Sequence, residues 1–77
     1  MPRGLFNWSE RNVTDFLKEN GFIFCEFRKG SHYAYINKEK NRIVEISKSD
    51  GYPPRTLETM IRQSGIDKNT WKKWASS

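Results

Sequence analysis

The connectors between residues 22 and 47 constrain this chain more than any other feature. Three stretches in that window are rich in aromatic and β-branched residues: Phe22 to Arg28, Ser31 to Ile36, and Arg42 to Ser47 with its Ile43, Val44 and Ile46. Only Lys29-Gly30 separates the first pair, and only the polar, charged turn Asn37 to Asn41 separates the second. A parallel neighbour needs a crossover of a dozen or more residues, so links this short demand antiparallel pairing. The expectation is a three-stranded meander.

Helical patterns flank the three stretches. From Glu10 to Asn20, Val13, Phe16 and Leu17 recur on one stripe, with Ser9 as N-cap and Trp8 able to staple against Val13. Asn20-Gly21 ends that helix, with Gly21 suited to the left-handed C′ position and Phe22 able to fold back onto Leu17. After the turn-forming Lys48-Ser49-Asp50-Gly51-Tyr52-Pro53, Pro54 opens a second helix whose buried stripe is Leu57, Met60 and Ile61. It ends at Ser64-Gly65-Ile66, with Ile66 able to pack on Ile61. Asp67 then caps a short extra C-terminal helix, where Ile66 and Trp71 can form another staple and Trp71 and Trp74 share a face. The order is an α+β arrangement, α-β-β-β-α plus a short helix, in a single domain over residues 1–77.

Three strands bury a core only if helices cover one face of the sheet. The other face is left free, and with aromatic and basic side chains it would make a binding surface. Alternation groups His32 with Ala34 and Ile36, and Tyr33 with Tyr35; it does not say which set faces the helices. A domain of this length buries only about 60% of its unfolded surface. One cysteine offers no disulfide, and one Cys with one His offers no usual zinc set, so neither a metal nor a cofactor is expected. Packing must come from 5 Phe, 3 Tyr, 3 Trp and the aliphatics. Cys25, between Phe24 and Glu26, reads as a small buried hydrophobe.

Fourteen Lys and Arg against nine Asp and Glu give a net charge of +5. That balance points to a polyanionic partner, nucleic acid ahead of a membrane or an acidic protein. No apolar run approaches the roughly 20 residues of a spanning helix, and the first residues lack a signal-peptide apolar region. A cytoplasmic protein is expected.

The lone histidine lies in Arg28-Lys29-Gly30-Ser31-His32-Tyr33. Gly30 permits a turn in which backbone N–H groups approach an anion, Ser31 adds a hydroxyl, and Arg28 and Lys29 add positive charge. His32 alone among these titrates near neutrality, so it can give or accept a proton. An RNA phosphodiester can be broken by its own 2′-OH, which leaves a proton shuttle and charge stabilisation to the enzyme. A lone His at the start of a strand, after an ordinary hairpin Gly-Ser, fits a structural role too. Tyr33 and Tyr35 suit stacking on RNA bases as well as cross-strand packing. Trp71 and Trp74 around Lys72-Lys73 suit a nucleic-acid contact, or a core in which Trp71 closes the packing.

Asn20-Gly21-Phe22, then Lys29-Gly30-Ser31-His32 with an aromatic at Tyr35, then Thr56-Leu57 through Gln63-Ser64-Gly65-Ile66, resembles the HicA family of mRNA interferase toxins. The resemblance runs in order from about Val13 to Trp74. It implies a fold similar to the double-stranded RNA-binding domain, metal-independent cleavage of mRNA, and a HicB-type antitoxin that blocks the site. It maps the family's catalytic histidine onto His32, with Arg28, Lys29, Gly30, Ser31, Tyr33 and Lys48 toward the substrate. This chain departs from the family at Tyr33, where many members carry a second histidine, and at Ser47-Lys48, where members often carry another. The segment from Gly21 to Gly30 is also longer, which implies a bulge or a shifted register. A two-histidine mechanism is thereby excluded, leaving Lys29, Lys48 or water to complete the proton transfers. A non-catalytic RNA-binding module and a protein-interaction domain are the alternatives.

Overall fold

The computed structural model describes residues 4–76. Ser9 accepts the Asn12 N–H on its hydroxyl, while the Asn12 side chain accepts the Ser9 N–H, and this reciprocal box starts helix α1, Glu10–Glu19. At its far end Phe22 N–H reaches the Leu17 carbonyl at 2.9 Å and Gly21 N–H reaches that of Lys18 at 3.2 Å. These are the paired bonds of a Schellman ending, which require a left-handed residue, and Gly21 sits at φ +87°. Trp8, Val13, Phe16, Leu17 and Phe22 are all buried, so the apolar stripe and both of its flanks enter the core.

The sheet is the expected antiparallel meander, ordered β1 (Ile23–Phe27), β2 (His32–Asn37), β3 (Arg42–Ser47). Strands β2 and β3 pair without interruption, Tyr33 opposite Ile46 and Tyr35 opposite Val44. Strand β1 does not. Phe24 pairs with Tyr35 and Glu26 with Ala34, so Cys25 is the extra residue of a β-bulge. The segment from Gly21 to Gly30 thus contains a bulge, one of the two outcomes expected for it. Its consequence is a change of face: Phe24 and Phe27, of opposite parity in a regular strand, both lie beside Tyr33 and Tyr35. Cys25 is exposed rather than buried, because a bulge residue on an edge strand has no cross-strand partner to cover it.

Helix α2, Pro54–Ser64, and helix α3, Lys68–Ser76, complete the chain. The face carrying Tyr33, Tyr35, Val44 and Ile46 joins Leu57, Met60, Ile61 and Ile66 in one core. Helix α3 is integral to that core. Trp71 is fully buried, with its ring 4.3 Å from that of Phe16 and 5.3 Å from that of Trp8, and Trp74 stacks on Trp8 at 5.2 Å. Lys68 lies 2.8 Å from Glu58, tying α3 to α2 and holding that carboxyl below its usual pKa. Among the described residues no helix is long and apolar enough to cross a membrane.

The structure assigns the two faces that strand alternation left open. The free face carries Ile23, Glu26, His32, Ala34, Ile36, Ile43 and Glu45, while the aromatic residues of the strands all lie on the helix side. Apolar area decides this: the rings bury more surface against helices than the alternating smaller residues could.

Candidate functional site

His32 opens β2, and its position is fixed from three directions. Its carbonyl accepts the Arg28 N–H at 2.8 Å, closing the β1–β2 loop. Its Cα partner on β3 is Ser47, and the next ladder position holds Lys48 N–H to the Ser31 carbonyl at 2.8 Å. On the free face its Nδ1 lies 3.3 Å from Oε1 of Glu45, the diagonal neighbour across the β2–β3 ladder. Both side chains are about half exposed, 47% and 45%. The distance is at the long end for an N–H to oxygen bond, as is common where solvent competes.

Helix α2 makes this pair into a site. Glu45 N–H, on the open side of edge strand β3, donates to Oε1 of Gln63 at 3.0 Å, so α2 is pinned along that edge. Between them runs an open cleft of about 380 Å³ lined by His32, Glu45, Ser47, Arg55, Thr56, Thr59, Met60 and Gln63. The loop from Lys48 to Pro53 sets where α2 begins. Tyr52 donates its hydroxyl to the Ser47 carbonyl and its N–H to the Trp8 carbonyl, and Ser49 N–H donates to Glu10. With no side-chain cap at Pro53, the first turn of α2 brings Arg55 and Thr56 to the cleft facing Ser47 and His32.

The other residues read from the sequence divide into two groups. Arg28, Lys29, Gly30 and Ser31 are exposed in the loop that leads into His32. Gly30 has φ +70°, and a Cβ there would meet nothing within 4 Å, so the backbone conformation and not crowding calls for glycine. Tyr33 and Lys48 stand elsewhere. Tyr33 lies on the helix side, buried, with its hydroxyl donated to Glu10 at 2.5 Å. Burial and the neighbouring Glu10 push its pKa far up, and the ring is not available to stack on a ligand in the His32 cleft. Lys48 is on that side too, with Nζ 5.6 Å from the centroid of Phe27. The tyrosine is a correction to the expected substrate surface, and its cause is parity: successive strand residues point to opposite faces.

Glu45, Arg55 and Thr59 went unnoticed in the sequence, and Gln63 was read only as part of a helix-ending motif, not as a site residue. A faint signal existed for the helix, since Arg55, Thr59 and Gln63 repeat every four residues on one face. Such a polar stripe reads as a solvated surface unless an opposing strand is known. Glu45 carried only the alternation against Val44 and Ile46. Searched against models of known protein families and against curated proteins, the chain matches none.

Proposed function

We propose that this chain is an endoribonuclease of the HicA type, a toxin that cleaves mRNA and is held in check by a HicB-type antitoxin. One observation carries the reading: the single imidazole stands beside a carboxylate, solvent-accessible, at the wall of a cleft with an arginine on the facing helix. The motif order from Asn20-Gly21-Phe22 to Gly65-Ile66 and the α-β-β-β-α arrangement add to it.

The chemistry follows from those groups. With Nδ1–H donated to Glu45, His32 Nε2 is free to take the proton from the ribose 2′-OH as that oxygen attacks the adjacent phosphorus. The imidazolium so formed is stabilised by the Glu45 carboxylate and returns its proton to the departing 5′-oxygen. The P–O5′ bond breaks, giving a 2′,3′-cyclic phosphate and a free 5′-hydroxyl. Arg28 and Lys29 from the loop, and Arg55 from α2, offset charge on the non-bridging oxygens. His32 makes both proton transfers in this scheme, and Glu45 orients and stabilises it, so no second histidine is needed.

The test is incubation of the purified protein with RNA, without added metal, beside His32→Ala. Cleavage that leaves cyclic phosphate ends and disappears in the folded variant is the expected result. A folded His32→Ala protein that cleaves at the unsubstituted rate overturns the reading.

A further inference from the structure

The bulge in β1 leaves an aromatic surface that the cleft does not use. Phe27 is 69% exposed and Phe24 44%, although both lie on the side of the sheet that elsewhere forms the core. Their rings are 5.0 Å apart and continue into Tyr33 and Tyr35, each about 6.2 Å from Phe24, so the patch has a rigid floor. The Lys48 ammonium sits over the face of Phe27, and Arg28 and Lys29 follow Phe27 directly in the chain, both exposed. The Glu10 carboxylate on this side is taken up by the Tyr33 hydroxyl and the Ser49 N–H, and Glu26 pairs with Ala34 and so faces the other side.

We propose that Phe24, Phe27 and Lys48 form a stacking platform for the unpaired bases of a single-stranded RNA, at the same end of the sheet as His32 but on its opposite face. This rests on the ribonuclease reading and adds to it a substrate-holding surface away from the cleft. Flat exposed rings bracketed by cations match a strand that alternates bases with phosphates. A protein strand adding to the β1 edge is the competing occupant, and the bulge opposes it. The extra Cys25 interrupts the regular row of N–H and C=O groups that strand addition requires. The Arg28–Ser31 loop joins the two faces, so a strand lying on the platform passes over those cations to reach His32.

The experiment measures affinity for a labelled short single-stranded RNA in a His32→Ala background, where the RNA is not consumed. Phe27→Ala should weaken binding about 5- to 150-fold, the range of one lost base–aromatic stack. Phe27→Trp should retain it, and Phe27→Leu, which keeps apolar area without a ring, should not. An abasic ribose-phosphate oligomer should bind with equal affinity to protein with and without Phe27→Ala. Unchanged RNA affinity in Phe24→Ala/Phe27→Ala overturns the platform, as does unchanged affinity together with a lowered oligomeric state by light scattering, which would make the patch a protein contact. Cleavage by the unsubstituted protein is scored separately. Cleavage with no platform effect sinks only the platform, whereas a platform effect without cleavage sinks only the catalytic reading.

Discussion

The pair at the centre of the cleft differs from the tyrosine next to it in every respect that matters to chemistry. His32 and Tyr33 are adjacent, yet one is half exposed beside Glu45 and the other is sealed against α1 with its hydroxyl on Glu10. Glu45→Gln keeps the side chain's size and removes the charge that steadies an imidazolium. Its expected effect is a drop in RNA cleavage smaller than the roughly 10²- to 10⁴-fold loss for His32→Ala. Urea denaturation of both variants should stay within about 0.5 kcal/mol of the parent, as for surface changes. Tyr33→Phe should do the reverse, leaving cleavage intact and costing about 1.5–3 kcal/mol for a lost hydrogen bond to a charged group. Alkali supplies a second check. Tyr33 and Tyr52 both have pKa values raised above 10.0 by burial, so their contribution to stability is complete below about pH 10. Above that, the unfolded chain ionises more readily than the folded one, so stability should fall as the pH rises. A denaturation series from pH 9 to 12, with Tyr33→Phe showing the shallower fall, tests the sign.

At the level of elements, the site depends on two junctions. One is the turn from α1 into β1, where Gly21 has φ +87° and a Cβ would come 3.1 Å from Nδ2 of Asn37. That Asn37 amide donates to the Asn20 carbonyl at 3.1 Å, locking the end of α1 to the end of β2. Gly21→Ala therefore meets backbone strain and a buried side chain together, and should cost about 1–3 kcal/mol in thermal or urea unfolding. The other junction is the bond from Glu45 N–H to Gln63, which closes the β3 edge and sets the width of the cleft. Gln63→Ala should raise hydrogen exchange at the Glu45 amide and lower cleavage, with a stability loss of only about 0.5–1.5 kcal/mol. Unaltered exchange at that amide would show that the helix is held in place by its apolar face alone.

Taken as a whole, the described residues have a radius of gyration of 11.4 Å, which matches the roughly 11.5 Å expected of a compact domain of this length. The ring cluster of Trp8, Phe16, Trp71 and Trp74 supplies much of what a disulfide or metal would supply in other small domains. Trp71→Ala should cost about 3–5 kcal/mol, a large share of the 5–15 kcal/mol typical of a native domain, and should release α3. Loss of far-UV helical signal and a lowered melting temperature would register it. Net charge belongs to this scale too: RNA affinity should fall steeply across a salt series as counterions are released, and a flat series would remove phosphate contacts from the account.

The element order, the meander and both helix ends were legible in the sequence because they rest on local chemistry: a cap, a glycine, a proline, a link too short to cross over. His32 was legible for a similar reason, as the one group able to move a proton near neutrality. What the sequence could not determine was facing. Alternation groups strand residues into two sets without assigning either, and the assignment comes from which set buries more area under the helices. That choice sent Tyr33 inward and His32 outward. One bulge at Cys25 reversed the parity of β1, turning an expected buried thiol outward and bringing Phe24 and Phe27 to one side. Glu45, Arg55 and Gln63 joined His32 only through the ladder register and the docking of α2. Those depend on contacts between residues far apart in the chain, which no local pattern encodes.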